Sequence, residues 1–262
     1  MAAPQTQRTV RSRAPWLAGL GLAGVVQFVV ALVMLHMANF PRQPWHMSQF
    51  ANMQLNWMWV MGLFGFIVGA AAITVAIVPY LSGSRASRIG LCLLGLAAVG
   101  GVMLAVFPTD PTPHRHTLVG TIHNEVAPPT FASLSLAIVM MGPAFRSNPA
   151  WRPLGAVSIV LGGLAGLAAL GYVWADMNEQ PVVAVLQRIM VGLVIAWFML
   201  LGLRLLAVRR MERREAEERE LRAAQARLAR RRAREAARAA KRASASLSRP
   251  QALTASVPQS RT

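Results

Sequence analysis

Residues 107–125, FPTDPTPHRHTLVGTIHNE, hold three of the five histidines in the chain and two of the four acidic residues that precede its charged tail. Three kinds of chemistry fit those side chains. Asp110 with two or three of His114, His116 and His123 has the donor types of a divalent-metal site, zinc for example, that activates water. No HExxH or comparable spacing accompanies them. Alternatively, Asp110 or Glu125 works as a general acid or base with His123, while Arg188 holds an anionic headgroup through its planar guanidinium. Gln187 beside it, Arg42 in an earlier loop, and His116 are further binding candidates. The third arrangement has no reaction. Asp110, His123 and Arg188 then form a polar network that pins helix ends, as interfacial ionisable groups often do.

The local spacing adds detail. Prolines at 108 and 111 flank Thr109-Asp110, so the segment turns and the aspartate can cap it. His116 and His123 are seven apart and share a face if the residues between them are helical. Gly120 lies between them on that face, where a ligand or another backbone could approach.

The elements that must position these groups are apolar. The 262 residues are 55% hydrophobic with a mean hydropathy of +0.42, and only 14% are charged, against about 25% in a typical soluble domain. Runs of roughly 20 apolar residues read as bilayer-crossing helices. Six occur, at about 16–38, 56–80, 89–107, 123–145, 154–175 and 183–208. The expected fold is therefore all-α: a polytopic six-helix bundle, residues 16–208, after a short segment 1–15. The first span is too long for a signal-peptide core and has no clean small-residue cleavage site, so it reads as retained.

Arginines set the expected orientation. The N-terminal segment carries Arg8, Arg11 and Arg13, and alternate loops carry Arg85 with Arg88 and Arg146 with Arg152. Cytoplasmic loops retain such charges, which predicts both termini inside and an inner-membrane location. All four acids of the body and all five histidines then fall on the outer side. The middle of the spans lacks both, which speaks against proton-coupled transport.

Within the spans, the pairs Gly65/Gly69 and Gly162/Gly166 predict close helix packing. Gln27 and Thr74 are expected to hydrogen-bond to neighbouring helices. Pro128-Pro129 predicts a kink or a helix start, with residues 123–127 as a separate turn. Cys92 is the single cysteine, so no intrachain disulfide can form.

From Arg209 onward lie 16 of the 27 basic and six of the ten acidic residues. Residues 209–247 predict a charged cytoplasmic helix with Glu215–Arg219 and Glu218–Arg222 at favourable spacing. It either attracts anionic lipid headgroups or is simply solvated, and no nucleic-acid partner is expected. Residues 248–262 have a disordered composition.

FPTDP after the third span, Gly120-x-x-His123 opening the fourth, and Gln187-Arg188 opening the sixth resemble the bacterial membrane family called domain of unknown function 998. The loop PRQPWHMSQFA is similar to that family's proline-to-serine segment, with Ser48 in the serine position. The resemblance covers residues 16–208. It implies six helices and marks Ser48, Asp110, His123 and Arg188, but implies no activity; His114 and His116 are not part of its pattern. Together these readings favour recognition or modification, hydrolysis included, of a lipid or amphiphilic small molecule, with a membrane lipid as partner. A non-catalytic accessory protein and a small-molecule or ion transporter are the alternatives.

Overall fold

The computed structural model describes residues 5–42, 44–81, 83–111 and 117–247. Six long helices follow one another: α1 (Gln5–Ala38), α2 (Asn56–Ile77), α3 (Arg85–Val106), α4 (Leu118–Arg146), α5 (Arg152–Met177) and α6 (Val183–Leu247). Single 3-10 turns occupy Met47–Asn52 and Val78–Tyr80, and no strand occurs among the described residues. Each long helix contains a stretch apolar enough to cross a bilayer. A helix suits that solvent because it pairs its own backbone groups where no water can.

The chain divides into two units between Arg209 and Arg210. In the first, α1 packs on α2, α3 on α4, and α4 on α5. Glycine makes the tightest approaches possible. A side chain on Gly69 would start 2.7 Å from the Gly21 carbonyl, and one on Gly24 would overlap the Gly65 carbonyl. Gly162 meets the Val139 amide nitrogen at 2.7 Å in the same sense, whereas Gly166 has only Ser135 Cβ at 3.8 Å. α6 buries Met190, Val194, Trp197, Leu201, Leu205 and Val208, a stripe at steps of three or four residues that faces the other helices. From this stripe Trp197 Nε1 donates to Ser158 Oγ on α5 at 2.9 Å.

Two local expectations are corrected. Pro128 and Pro129 do not begin a helix or break one, because α4 starts at Leu118 and runs through both. Residues 123–127 are therefore ordinary helix. The prolines forfeit only the hydrogen bonds to the Asn124 and Glu125 carbonyls, and packing against α3 and α5 holds the helix on either side. Thr74 does not reach a neighbouring helix; its hydroxyl donates 2.8 Å back to Ala70 O in its own turn. Gln27 does cross over, donating to Met61 O on α2 at 3.1 Å.

The two ends of the first unit differ in chemistry. At one end Arg204 donates to Ala150 O, and the Arg209 guanidinium lies 5.4 Å over the Tyr80 ring. At the other lie Asp110, Asp176, Glu179 and three described histidines, His36, His46 and His123. In the second unit, Glu215–Arg219 and Glu218–Arg222 pair at 2.9 and 3.4 Å, joined by Arg213–Glu217 at 3.2 Å. All six partners are highly exposed, so each pair contributes a few tenths of a kcal/mol, about 0.3–0.5 at most. Residues 248–262 lie outside the described residues.

Candidate functional site

α3 stops at Val106, and the Phe107 amide closes its last turn on Met103 O at 2.8 Å. Pro108 and Pro111 bracket the turn that follows. Asp110 reaches forward seven residues to the start of α4. Its Oδ2 accepts from the Thr117 amide at 3.0 Å and its Oδ1 from the Thr117 hydroxyl at 2.6 Å. That hydroxyl in turn accepts from the Gly120 amide at 3.1 Å and caps the helix. A carboxylate at a helix N-terminus also opposes the positive end of the helix dipole. The carboxylate fills the space where a Gly120 side chain would begin, which is why the position carries none.

One turn further along α4, His123 is 6% exposed. Its Nδ1 lies 2.7 Å from Phe107 O. A carbonyl can only accept, so Nδ1 carries the proton and neutral His123 presents Nε2 as an acceptor. Among the described residues nothing hydrogen-bonds to Nε2. Asp110 and His123 therefore sew the end of α3 to the start of α4 while leaving one imidazole nitrogen unengaged.

Both side chains line a cavity of about 1090 Å³, at the upper end of ordinary small-molecule sites. Its apolar walls come from α2, α3, α4 and α6. On α2 the lining runs from Trp59 to Val75, about 24 Å of helix at 1.5 Å per residue. Ala71, Val75 and Gly95, on α2 and α3, line the cavity and are exposed.

Among the described residues, the ionisable lining groups are His46, Asp110, His123, Tyr172, Asp176 and Glu179, all at the same end. His46 Nε2 donates to Asp176 Oδ1 at 3.3 Å, and its Nδ1 lies 3.2 Å from the Tyr172 hydroxyl. Burial lowers the His46 pKa below 6.5; the Asp176 carboxylate opposes this and the Arg188 charge adds to it. The neutral ring therefore has Nε2–H toward the carboxylate and Nδ1 accepting from the tyrosine. Gln187, 4% exposed, accepts the Met47 amide at 2.6 Å and holds the 3-10 turn against α6. Asn52 Nδ2 ties the same turn to Thr109 O at 2.8 Å. Glu179 turns the chain with φ 52, in the left-handed region that side chains other than glycine and asparagine seldom occupy.

The expected site residues divide into three groups. Asp110, His123, Ser48 and Gln187 line the cavity. Glu125 and Arg42 are exposed and do not. Arg188 is half-buried and turned away: Nε donates to His36 Nε2 at 3.3 Å, Nη1 to Ala184 O at 2.8 Å and Nη2 to Pro44 O at 3.0 Å. It anchors the loop that carries His46. His114 and His116 lie outside the described residues, and among those described no three His, Cys, Asp or Glu side chains gather as metal ligands. Sequence reasoning missed Tyr172, and it gave His46, Asp176 and Glu179 no place with Asp110 and His123 in one site. The one available signal was the gathering of acids and histidines at one side of the spans.

A six-span helical membrane protein with an apolar cavity and a polar mouth is the class these features define. The chain belongs to the family described as protein of unknown function (DUF998), whose model matches residues 17–204. Neither a curated protein nor a solved structure matches it.

Proposed function

We propose that the protein recognises a membrane amphiphile, taking its hydrocarbon chain into the cavity between α2 and α3 and its headgroup against His123, Asp110, His46 and Asp176. One observation carries the reading: a single cavity joins a polar mouth to an apolar body about 24 Å long on α2. One leaflet of a bilayer core is about 15 Å deep, half of roughly 30 Å, so the body accommodates a lipid tail. The exposed lining positions Ala71, Val75 and Gly95 are where such a tail enters from the side. The arginine distribution supports an orientation with both termini inside and the mouth on the extracytoplasmic face of the inner membrane. The second unit is rich in arginine, and an arginine near an anionic lipid surface is attracted by about 1 kcal/mol.

Transport fits less well, because every ionisable lining group described lies at one end and no charged path crosses the spans. Hydrolysis of the bound amphiphile is the second reading. It rests on His123, whose anchored Nδ1–H leaves Nε2 oriented to accept a proton from water.

The test is lipid analysis of protein purified in mild detergent, wild type beside Gly95→Phe. A Cβ at 95 meets nothing within 4 Å and Gly95 lines the cavity, so the substitution adds bulk there without a backbone clash. Specific lipid retained by the wild type and lost in Gly95→Phe supports recognition. Equal retention by both rejects it. For hydrolysis, fatty-acid release from a labelled phospholipid mixture is compared between wild type and His123→Ala; no difference removes that reading.

A further inference from the structure

The mouth is built to accept hydrogen bonds and positive charge. A hydrocarbon tail gains almost nothing on leaving lipid for an apolar cavity, because lipid tails are as apolar as the cavity wall. Selectivity therefore falls on the headgroup end. There the carboxylates of Asp110, Asp176 and Glu179 line the cavity together with His123. His123 is more than nine-tenths buried and lines the same cavity; because Phe107 O holds the Nδ1 proton, the neutral ring's unengaged acceptor is Nε2. Among the described residues, no lysine or arginine lines the cavity. Arg188, the cation expected to hold an anionic group, does not line the cavity and donates from each of its three nitrogens to His36, Ala184 and Pro44.

We infer that the ligand of this site is a cationic amphiphile whose headgroup carries N–H donors, a primary ammonium on an apolar chain. The inference rests on the amphiphile reading above and names its headgroup class. An ammonium brings three donors, matching His123 Nε2 and the neighbouring carboxylates. A phosphate or sulfate would meet these acceptors and carboxylates, with no guanidinium among the described lining residues to bond it.

The experiment is native mass spectrometry of the full-length protein in nonionic detergent, titrated separately with dodecylamine, dodecyltrimethylammonium and dodecyl phosphate. Dodecylamine should bind at least about tenfold more tightly than dodecyl phosphate, the worth of one charge-assisted hydrogen bond. Dodecyltrimethylammonium, which has charge but no N–H, should fall between them. His123→Ala should reduce the amine preference. Because that residue also clamps α3 to α4, Glu179→Gln is the second variant: it is exposed at a turn, and it should weaken dodecylamine alone. Dodecyl phosphate binding as well as the amine would overturn the headgroup class and leave the amphiphile reading standing. No retention of any of the three would sink both.

Discussion

The Asp110 carboxylate lies where the side chain of residue 120 would be. Gly120→Ala therefore forces Asp110 off Thr117, losing two hydrogen bonds at a helix start. The expected cost is about 1–3 kcal/mol, typical of overpacking a fitted site. Thermal unfolding in detergent measures it. The cause is isolated by repeating the substitution in an Asp110→Ala background, where the added methyl should cost little; equal cost in both backgrounds would show that something other than this contact is at stake.

Two glycines in the spans should respond in opposite directions. Gly24 faces the Gly65 carbonyl at less than contact distance for any side chain, so Gly24→Ala pushes α1 from α2 and destabilises. Gly95 has open space, so Gly95→Ala should stabilise by about 0.5–1 kcal/mol through helix propensity alone. Unfolding midpoints of the two variants should lie on either side of the wild type.

His46 predicts a pH dependence. Its folded pKa is lowered below 6.5, chiefly by burial, so the unfolded chain takes up the proton first as pH falls. Stability is then full above the unfolded value and declines as pH drops through about 6.5, until the folded value is reached. His46→Gln should flatten that part of the stability profile. A profile unchanged by the substitution would mean that His46 is not the group responsible.

Arg188 should behave as an anchor. Arg188→Gln removes the ties to Pro44 O and His36, and a loss of about 1–3 kcal/mol is expected for charged hydrogen bonds of this kind. Binding at the mouth should weaken for amine and phosphate amphiphiles alike, through misplacement of His46. A selective loss of phosphate binding would instead identify the guanidinium as a ligand contact.

Removing the Ser158 hydroxyl should be costly for its size. Ser158→Ala leaves the Trp197 indole N–H, which now donates at 2.9 Å, without an acceptor inside the bundle. About 1–3 kcal/mol is expected for an unsatisfied buried donor. Paired Trp197→Phe should recover part of the loss, and no recovery would argue against the hydrogen bond as the cause.

Some of this architecture was legible in residues 1–262 taken alone. Six spans follow from apolar run length, since a helix in lipid satisfies its backbone without needing a partner. The capping role open to Asp110 was visible in Pro-Thr-Asp-Pro, because turn chemistry is local. The glycine pairs announced close packing, and Gly120 announced a close approach. The double proline misled as a helix start, because α4 begins at Leu118 and its packing against α3 and α5 carries it through 128 and 129. Arg188 could not be aimed from sequence, because its partners His36 and Pro44 lie 152 and 144 residues away, and the rotation of α6 about its own axis chooses between them and the cavity. The pairing of His46 with Tyr172 and Asp176 had no sequence signal for the same reason. Helix existence depends on neighbouring residues and the solvent, whereas which polar groups meet depends on how the helices are turned when they pack, and only the tertiary structure decides that.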